Sequence, residues 1–172
     1  MVVLILLHAL AILIGLKFGW LWAITCGMLV AACYCWMVLN PHCQWLGPVI
    51  CKASNDQILI TIDDGPDPHD TPILLGLLDQ YHTKAIFFMI GEKAKAHPEL
   101  VREVARRGHE IGNHTFTHPQ ASFWCAGPWR TRREISQCQK VIEEITGKAP
   151  CWFRAPVGHR NFLCILSPVH WV

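Results

Sequence analysis

Charge is nearly missing from the first quarter of this sequence. Between Val2 and Leu39 the only ionisable side chains, thiols and Tyr34 aside, are His8 and Lys17, whereas nearly all the Asp, Glu, Lys and Arg follow Cys51. Such length without charge argues against the buried hairpin of a soluble core. The lack of a charged segment before the apolar run, and the run's length, argue against a cleaved signal peptide. No CxxC pair occurs among the nine cysteines, which excludes a zinc ribbon and a regular disulfide framework. Cys43 and Cys51 flank a Pro/Gly-containing stretch and could pair in an oxidising compartment, but the count is odd and no disulfide is assigned. Lys and Arg nowhere cluster among aromatics as a nucleic-acid groove requires, so no nucleic-acid partner is expected. The short run Arg130, Arg132 and Arg133, beside Glu134, reads as a solvated helix face.

What is present begins with membrane-compatible helix. About 20 apolar residues cross the hydrocarbon core, and the run to Leu39 is interrupted at Gly15-Leu-Lys-Phe-Gly-Trp20. Two readings follow: a hairpin of helices over roughly 2–16 and 20–39 with Lys17 in the turn, or one anchor near 20–39 preceded by an interfacial helix. Trp20, Trp22, Trp36 and Trp45 lie near the ends, where interfacial aromatics belong. Residues 1–40 are thus a transmembrane segment of one or two helices in a cell membrane. A cytoplasmic Lys17 would place the rest of the chain outside, periplasmic or extracellular. Residues 41–56, with Pro41, Gly47, Pro48 and Asn55, read as a linker.

Residues 57–172 read as alternating strands and helices. Strands are expected at 57–62, 84–90 and 109–113, with a fourth beginning at Trp152. Helices are expected at 71–81, capped by Asp70/Thr71, at 98–107, and at 131–146, ended by Gly147. This alternation specifies an α/β parallel sheet, open or curled into a barrel, with chemistry at the carboxyl ends of the strands. Four strands leave a free edge after 151–155, and Phe162, Leu163, Ile165 and Leu166 would open a further helix.

Three constellations sit at those ends. In Thr61-Ile-Asp-Asp-Gly65, adjacent carboxylates point to different sides, so one can ligate a metal while the other stays free as a base. His114-Thr-Phe-Thr-His118 brings two imidazoles to one side of a helical turn or a short extended stretch. Two His and one carboxylate leave positions open on a divalent ion, which suits hydrolysis. In Phe153-Arg-Ala-Pro-Val-Gly158, the arginine can hold a carboxylate in fixed orientation and the loop can aim backbone N–H groups at an oxyanion. Trp124, Trp129 and Trp152 are candidates for stacking on a sugar ring or for core packing.

These three motifs in order, with Ala85-Ile-Phe-Phe-Met-Ile-Gly91 and Gly108-His-Glu-Ile-Gly-Asn-His114 between them, resemble the polysaccharide deacetylases, the NodB-homology carbohydrate esterases. The resemblance covers about residues 57 to 165. It implies a distorted (β/α) barrel, and hydrolysis of an acetamide on an N-acetylated polysaccharide or oligosaccharide. It implies Asp63 as catalytic base, oriented by Arg154, with the backbone N–H of Val157 on the oxyanion. Asp64, His114 and His118 would bind the metal, zinc or another divalent ion. Peptidoglycan, chitin-like oligomers and other N-acetylated glycans all fit. The family pattern also has an Asp/Trp motif and a Leu-x-His motif downstream, the latter carrying a general acid. Nothing here resembles the Leu-x-His motif, and His170-Trp171 lies too close to the third motif to substitute. The expectation is an incomplete domain, either a shortened deacetylase or a metal- or carbohydrate-binding remnant. A soluble part that merely mediates protein contacts fits the ordered motifs poorly.

Overall fold

A computed structural model describes residues 2–40, 42–45, 49–50, 58–161 and 170–171, the side chains of 2–5 and 170–171 excepted. Two apolar helices open the chain, α1 (Val2–Phe18) and α2 (Trp20–Leu39). The break between them is Gly19 alone, whose φ of 102° suits glycine. Gly15 is buried where the helices meet: a Cβ there would lie 2.6 Å from the Cβ of Ala23. Lys17, expected in the turn, instead closes the last turn of α1 with its ammonium over the Phe18 ring. A cation at a helix C-terminus complements the dipole, which favours the extra helical residues.

After the linker, most of which lies outside the described residues, comes the sheet. Its strands are β1 (Ile60–Gly65), β2 (Ala85–Met89), β3 (Glu110–Asn113), β4 (Trp152–Phe153) and β5 (His170–Trp171). They lie in sequence order, every neighbouring pair parallel. The edge expected to be free after 151–155 is thus partly covered by β5. Two residues carry no periodicity, so that strand left no pattern to read. The helix expected from Phe162 lies outside the described residues.

The helices α3 (Asp70–Gln80), α4 (Gly91–Ala96), α5 (Pro98–Arg106) and α6 (Pro128–Thr146) return the chain between strands. The start of α3 is capped from further upstream than expected: the Asp67 carboxylate accepts from the backbone N–H of His69 and of Asp70. Thr71 serves in reverse, its hydroxyl accepting from the Asp67 N–H. Gly147, at φ 74°, ends α6 in the left-handed conformation that glycine tolerates. Every residue of β2 is buried, as befits a central parallel strand covered on both faces. The main core joins Phe87 and Met89 to Leu75 of α3, Val101 and Val104 of α5 and Ile142 of α6. A second cluster of Phe123, Ile135, Phe153 and Ala155 lies under the loop before α6. All seven described cysteines are free thiols, while Cys51 and Cys164 lie outside the described residues.

Candidate metal centre and active site

The carboxyl ends of β1, β3 and β4 converge. In β1 the register with β2 shifts between Ile62 and Gly65, and Asp64 adopts a left-handed φ of 64°. A bulge of this kind re-aims side chains. Asp63 turns toward Arg154 and Asp64 toward the histidines, so the two carboxylates separate as their adjacency on a strand suggested.

The segment 114–118 is neither a helical turn nor an extended stretch. Thr115 and His118 both have positive φ, at 67° and 53°, and the chain folds back so that the imidazole centroids of His114 and His118 lie 4.7 Å apart. Buried Glu134 on α6 holds this loop. Its carboxylate accepts from the N–H groups of Phe116 and Thr117 and from the Thr117 hydroxyl, all within 3.0 Å. The Asn113 side chain accepts from the Thr115 N–H and donates to the Ile135 carbonyl. The start of α4 adds two backbone bonds, Gly91 N–H to the Thr115 carbonyl and Glu92 N–H to that of Phe116.

Asp64 Oδ1 lies 3.4 Å from His114 Nε2 and 3.1 Å from His118 Nε2. Donor atoms around a tetrahedral ion with bonds of about 2.0–2.2 Å would be about 3.4 Å apart, so the spacing fits one ion. All three donors fall within 4.8 Å of one another, and this is the group of that kind among the described residues. His114 Nδ1–H donates to the Arg154 carbonyl at 2.8 Å. That bond leaves the Nε2 lone pair free and orients the ring, as a backbone carbonyl does for a ligating histidine. Burial pushes the His114 imidazole below its ordinary pKa, favouring the neutral form that ligation needs. The imidazoles are largely enclosed while the Asp64 carboxylate is half exposed, so the site opens on one side.

Arg154 Nη1–H donates to Asp63 Oδ1 at 2.7 Å and to the Thr61 hydroxyl at 2.9 Å. Its guanidinium also stacks over the Phe88 ring, 4.4 Å from the centroid. Val157 is exposed and has a φ of 57°, a conformation rarely adopted by a β-branched residue and typical of strained functional loops. Among the described residues no acceptor takes its backbone N–H. Lys93 on α4 donates to the Asp64 carbonyl at 2.8 Å. Asp63, Asp64, His114, His118 and Arg154 therefore gather in one place, and Val157 follows Arg154 by three residues in the loop after β4. Thr61, Phe88 and Asn113 stand within the segments read from sequence but were given no part in the site, whereas Glu134 on α6 and Lys93 on α4 reach it from elements with no motif. Of the three tryptophans, Trp124 and Trp152 are partly buried and Trp129 is exposed.

The model of the polysaccharide deacetylase family matches residues 52–165. A peptidoglycan-N-acetylglucosamine deacetylase of Bacillus cereus is 41% identical over 127 residues, 73% of this chain and 58% of that protein. A chitooligosaccharide deacetylase of Rhizobium leguminosarum bv. trifolii is 38% identical over 128 residues, 69% of this chain and 58% of that one. Among solved structures, the peptidoglycan deacetylase PdaC of Bacillus subtilis matches with a TM-score of 0.65 at 30% identity, covering 69% of this chain and 58% of its own. The chain thus spans little more than half the length of these relatives.

Proposed function

The chain belongs to the polysaccharide deacetylase family, and on that premise we propose that it removes acetyl groups from an N-acetylated glycan, using a divalent metal held by Asp64, His114 and His118. The observation that carries this reading is the convergence of those three donors beside a second carboxylate, Asp63, held by Arg154. A divalent ion, zinc or another, would polarise the amide carbonyl as a Lewis acid and make water easier to deprotonate. Asp63 is the group that accepts the proton from the attacking water, and Arg154 fixes its orientation. The N–H of Val157 donates to the developing oxyanion. His114 and His118 would hold the ion through Nε2, together with the Asp64 carboxylate.

In this reading, residues 57–172 form the catalytic unit and its parallel sheet is part of a distorted (β/α) barrel. Residues 41–56 link it to an anchor in 1–40 that holds it on the outer side of the cell membrane. The names of the relatives point to peptidoglycan or chitooligosaccharide as the substrate class. The test is acetate release by the full chain in detergent, on chitooligosaccharides and on peptidoglycan, before and after chelation. Release that stops with chelator and returns with zinc is expected. Stoichiometric zinc with no acetate from either glycan would leave the site a binding remnant.

A further inference from the structure

The arginine run in α6 has no part in the site just described. Arg130, Arg132 and Arg133 are exposed, beside exposed Trp129, and none of the three pairs with a carboxylate among the described residues. The first turn of α6 contains no acidic residue. Cations there oppose the helix dipole, so local stability offers no reason for them.

Their location offers one. The Tyr34 hydroxyl of α2 donates to the Trp124 carbonyl at 3.3 Å, just before α6. At the same corner, Asn161 donates to the Phe123 carbonyl and to the Thr131 hydroxyl, and Arg160 donates to the Cys43 carbonyl just beyond α2. Buried Thr131 sits between the arginines and ties their turn to this corner, its hydroxyl donating to the Ala126 carbonyl. Tyr34 is five residues before the end of α2, about 7.5 Å along the axis. A 20-residue helix is as long as the hydrocarbon core is thick, about 30 Å. If α2 spans with Leu39 at the boundary of the acyl chains, the Tyr34 backbone lies about 7.5 Å inside it, and the start of α6, tied through Asn161 and Arg160 to Cys43 beyond α2, falls beside the headgroups. Exposed Trp36 and Trp45 flank the same end of α2, and aromatic side chains with basic neighbours suit that layer.

We infer that Trp129, Arg130, Arg132 and Arg133 form a second membrane contact that takes anionic phospholipid headgroups and holds the domain against the bilayer. This rests on the membrane-spanning reading of α2. Each basic residue near an anionic surface strengthens attachment about fivefold, so three give on the order of 100-fold.

The experiment uses the full chain in nanodiscs of phosphatidylcholine alone or with one quarter phosphatidylglycerol. A photoreactive benzoylphenylalanine replaces Trp129 in one sample and Trp36 in another. Lipid adducts at position 129 are expected in the anionic discs. They should fall on the order of 100-fold in neutral discs, and likewise when R130Q, R132Q and R133Q are combined, with circular dichroism unchanged. Adducts at 36 but none at 129 would overturn the contact and leave the spanning helix standing. Absence of both, with the chain lost from the discs, would overturn the spanning reading and this inference with it. Adducts at 129 abolished by submillimolar soluble polyphosphate would make the patch a site for soluble polyanions and overturn the bilayer assignment.

Discussion

Asp63 and Asp64 are adjacent in sequence yet belong to different constellations, and substitution should separate them. Asp64→Asn or His118→Ala removes one of three donors, so bound zinc should be lost on dialysis, as metal analysis would show. Asp63→Asn keeps all three and should retain zinc while acetate release falls about 10²–10⁴-fold, the usual worth of a positioned base. Equal zinc loss in both would mean that Asp63 is a ligand. Glu134 offers a second test. Its carboxylate satisfies two backbone N–H groups and a hydroxyl in the loop that places His118. Glu134→Ala strands those donors at about 1–3 kcal/mol each where buried, and should weaken zinc binding about 10–100-fold. Glu134→Gln keeps one acceptor oxygen and should recover part of that loss, whereas a residue that only packs would show no such rescue. The residues proposed for the chemistry were legible in the sequence because they stand in short motifs at strand ends. Glu134 was not: it stands beside three arginines, and only the fold reveals that it points inward.

Among the elements, long and periodic segments were legible, with bounds shifted by one to three residues. The four strands expected from apolar runs all form, and the helices now seen as α3, α5 and α6 lie where their periodicity placed them. The short helix α4 was missed because Gly91–Ala96 is too brief for a periodic face, with only Gly91 and Ala94 buried. It nonetheless sets the site, since Gly91 lets it approach the histidine loop. A Cβ at Gly91 would lie 2.5 Å from the Phe116 ring and 3.1 Å from the backbone of Phe116 and of Cys138. Gly91→Ala should therefore cost about 1–3 kcal/mol, the range for overpacking, and lower zinc affinity with it. Unchanged urea midpoint and zinc affinity would mean that the loop is placed otherwise. His109, at the entry to β3, supplies a pH test. Its buried Nδ1 accepts from the Ala85 N–H at 3.3 Å, and burial lowers its pKa from 6.5. The unfolded chain then binds the proton first, so stability is lost as pH falls below about 6.5 toward the folded value. His109→Leu should flatten the urea midpoint against pH in that window while lowering it throughout, because the Ala85 N–H loses its acceptor. A slope unchanged by the substitution would assign the pH dependence elsewhere.

At the scale of the whole molecule, the apolar helices contrast with the charged domain that follows them. A core helix of a soluble protein hides its apolar side chains, but only 6% of the apolar window in Trp20–Leu39 is buried. Leu21, Ile24, Met28 and Leu29 are all exposed, and leaving such side chains in water costs roughly 1.5–3 kcal/mol each relative to burial. Helix α2 is long and apolar enough to cross a membrane, by length and composition. Helix α1 packs on it at Gly15, so a second crossing and an interfacial placement are both open to α1. A cleaved signal would satisfy the apolar length of α2, but it would discard the contact of Tyr34 with the domain. The chain should therefore remain in the membrane fraction through alkaline carbonate washing, and its N-terminal sequence there should begin upstream of Trp20. Recovery of a soluble form starting near Asn40 would convert the anchor into a signal. The proposed orientation rests on Lys17 alone, the single Lys or Arg in the first 39 residues, which the positive-inside tendency would put in the cytoplasm if α2 spans. With α2 leaving toward the other side, a reporter active only in the cytoplasm and fused after Val172 should stay silent. Activity from that reporter would reverse the orientation, and it would also move the proposed glycan chemistry to the wrong side of the membrane for cell-wall substrates.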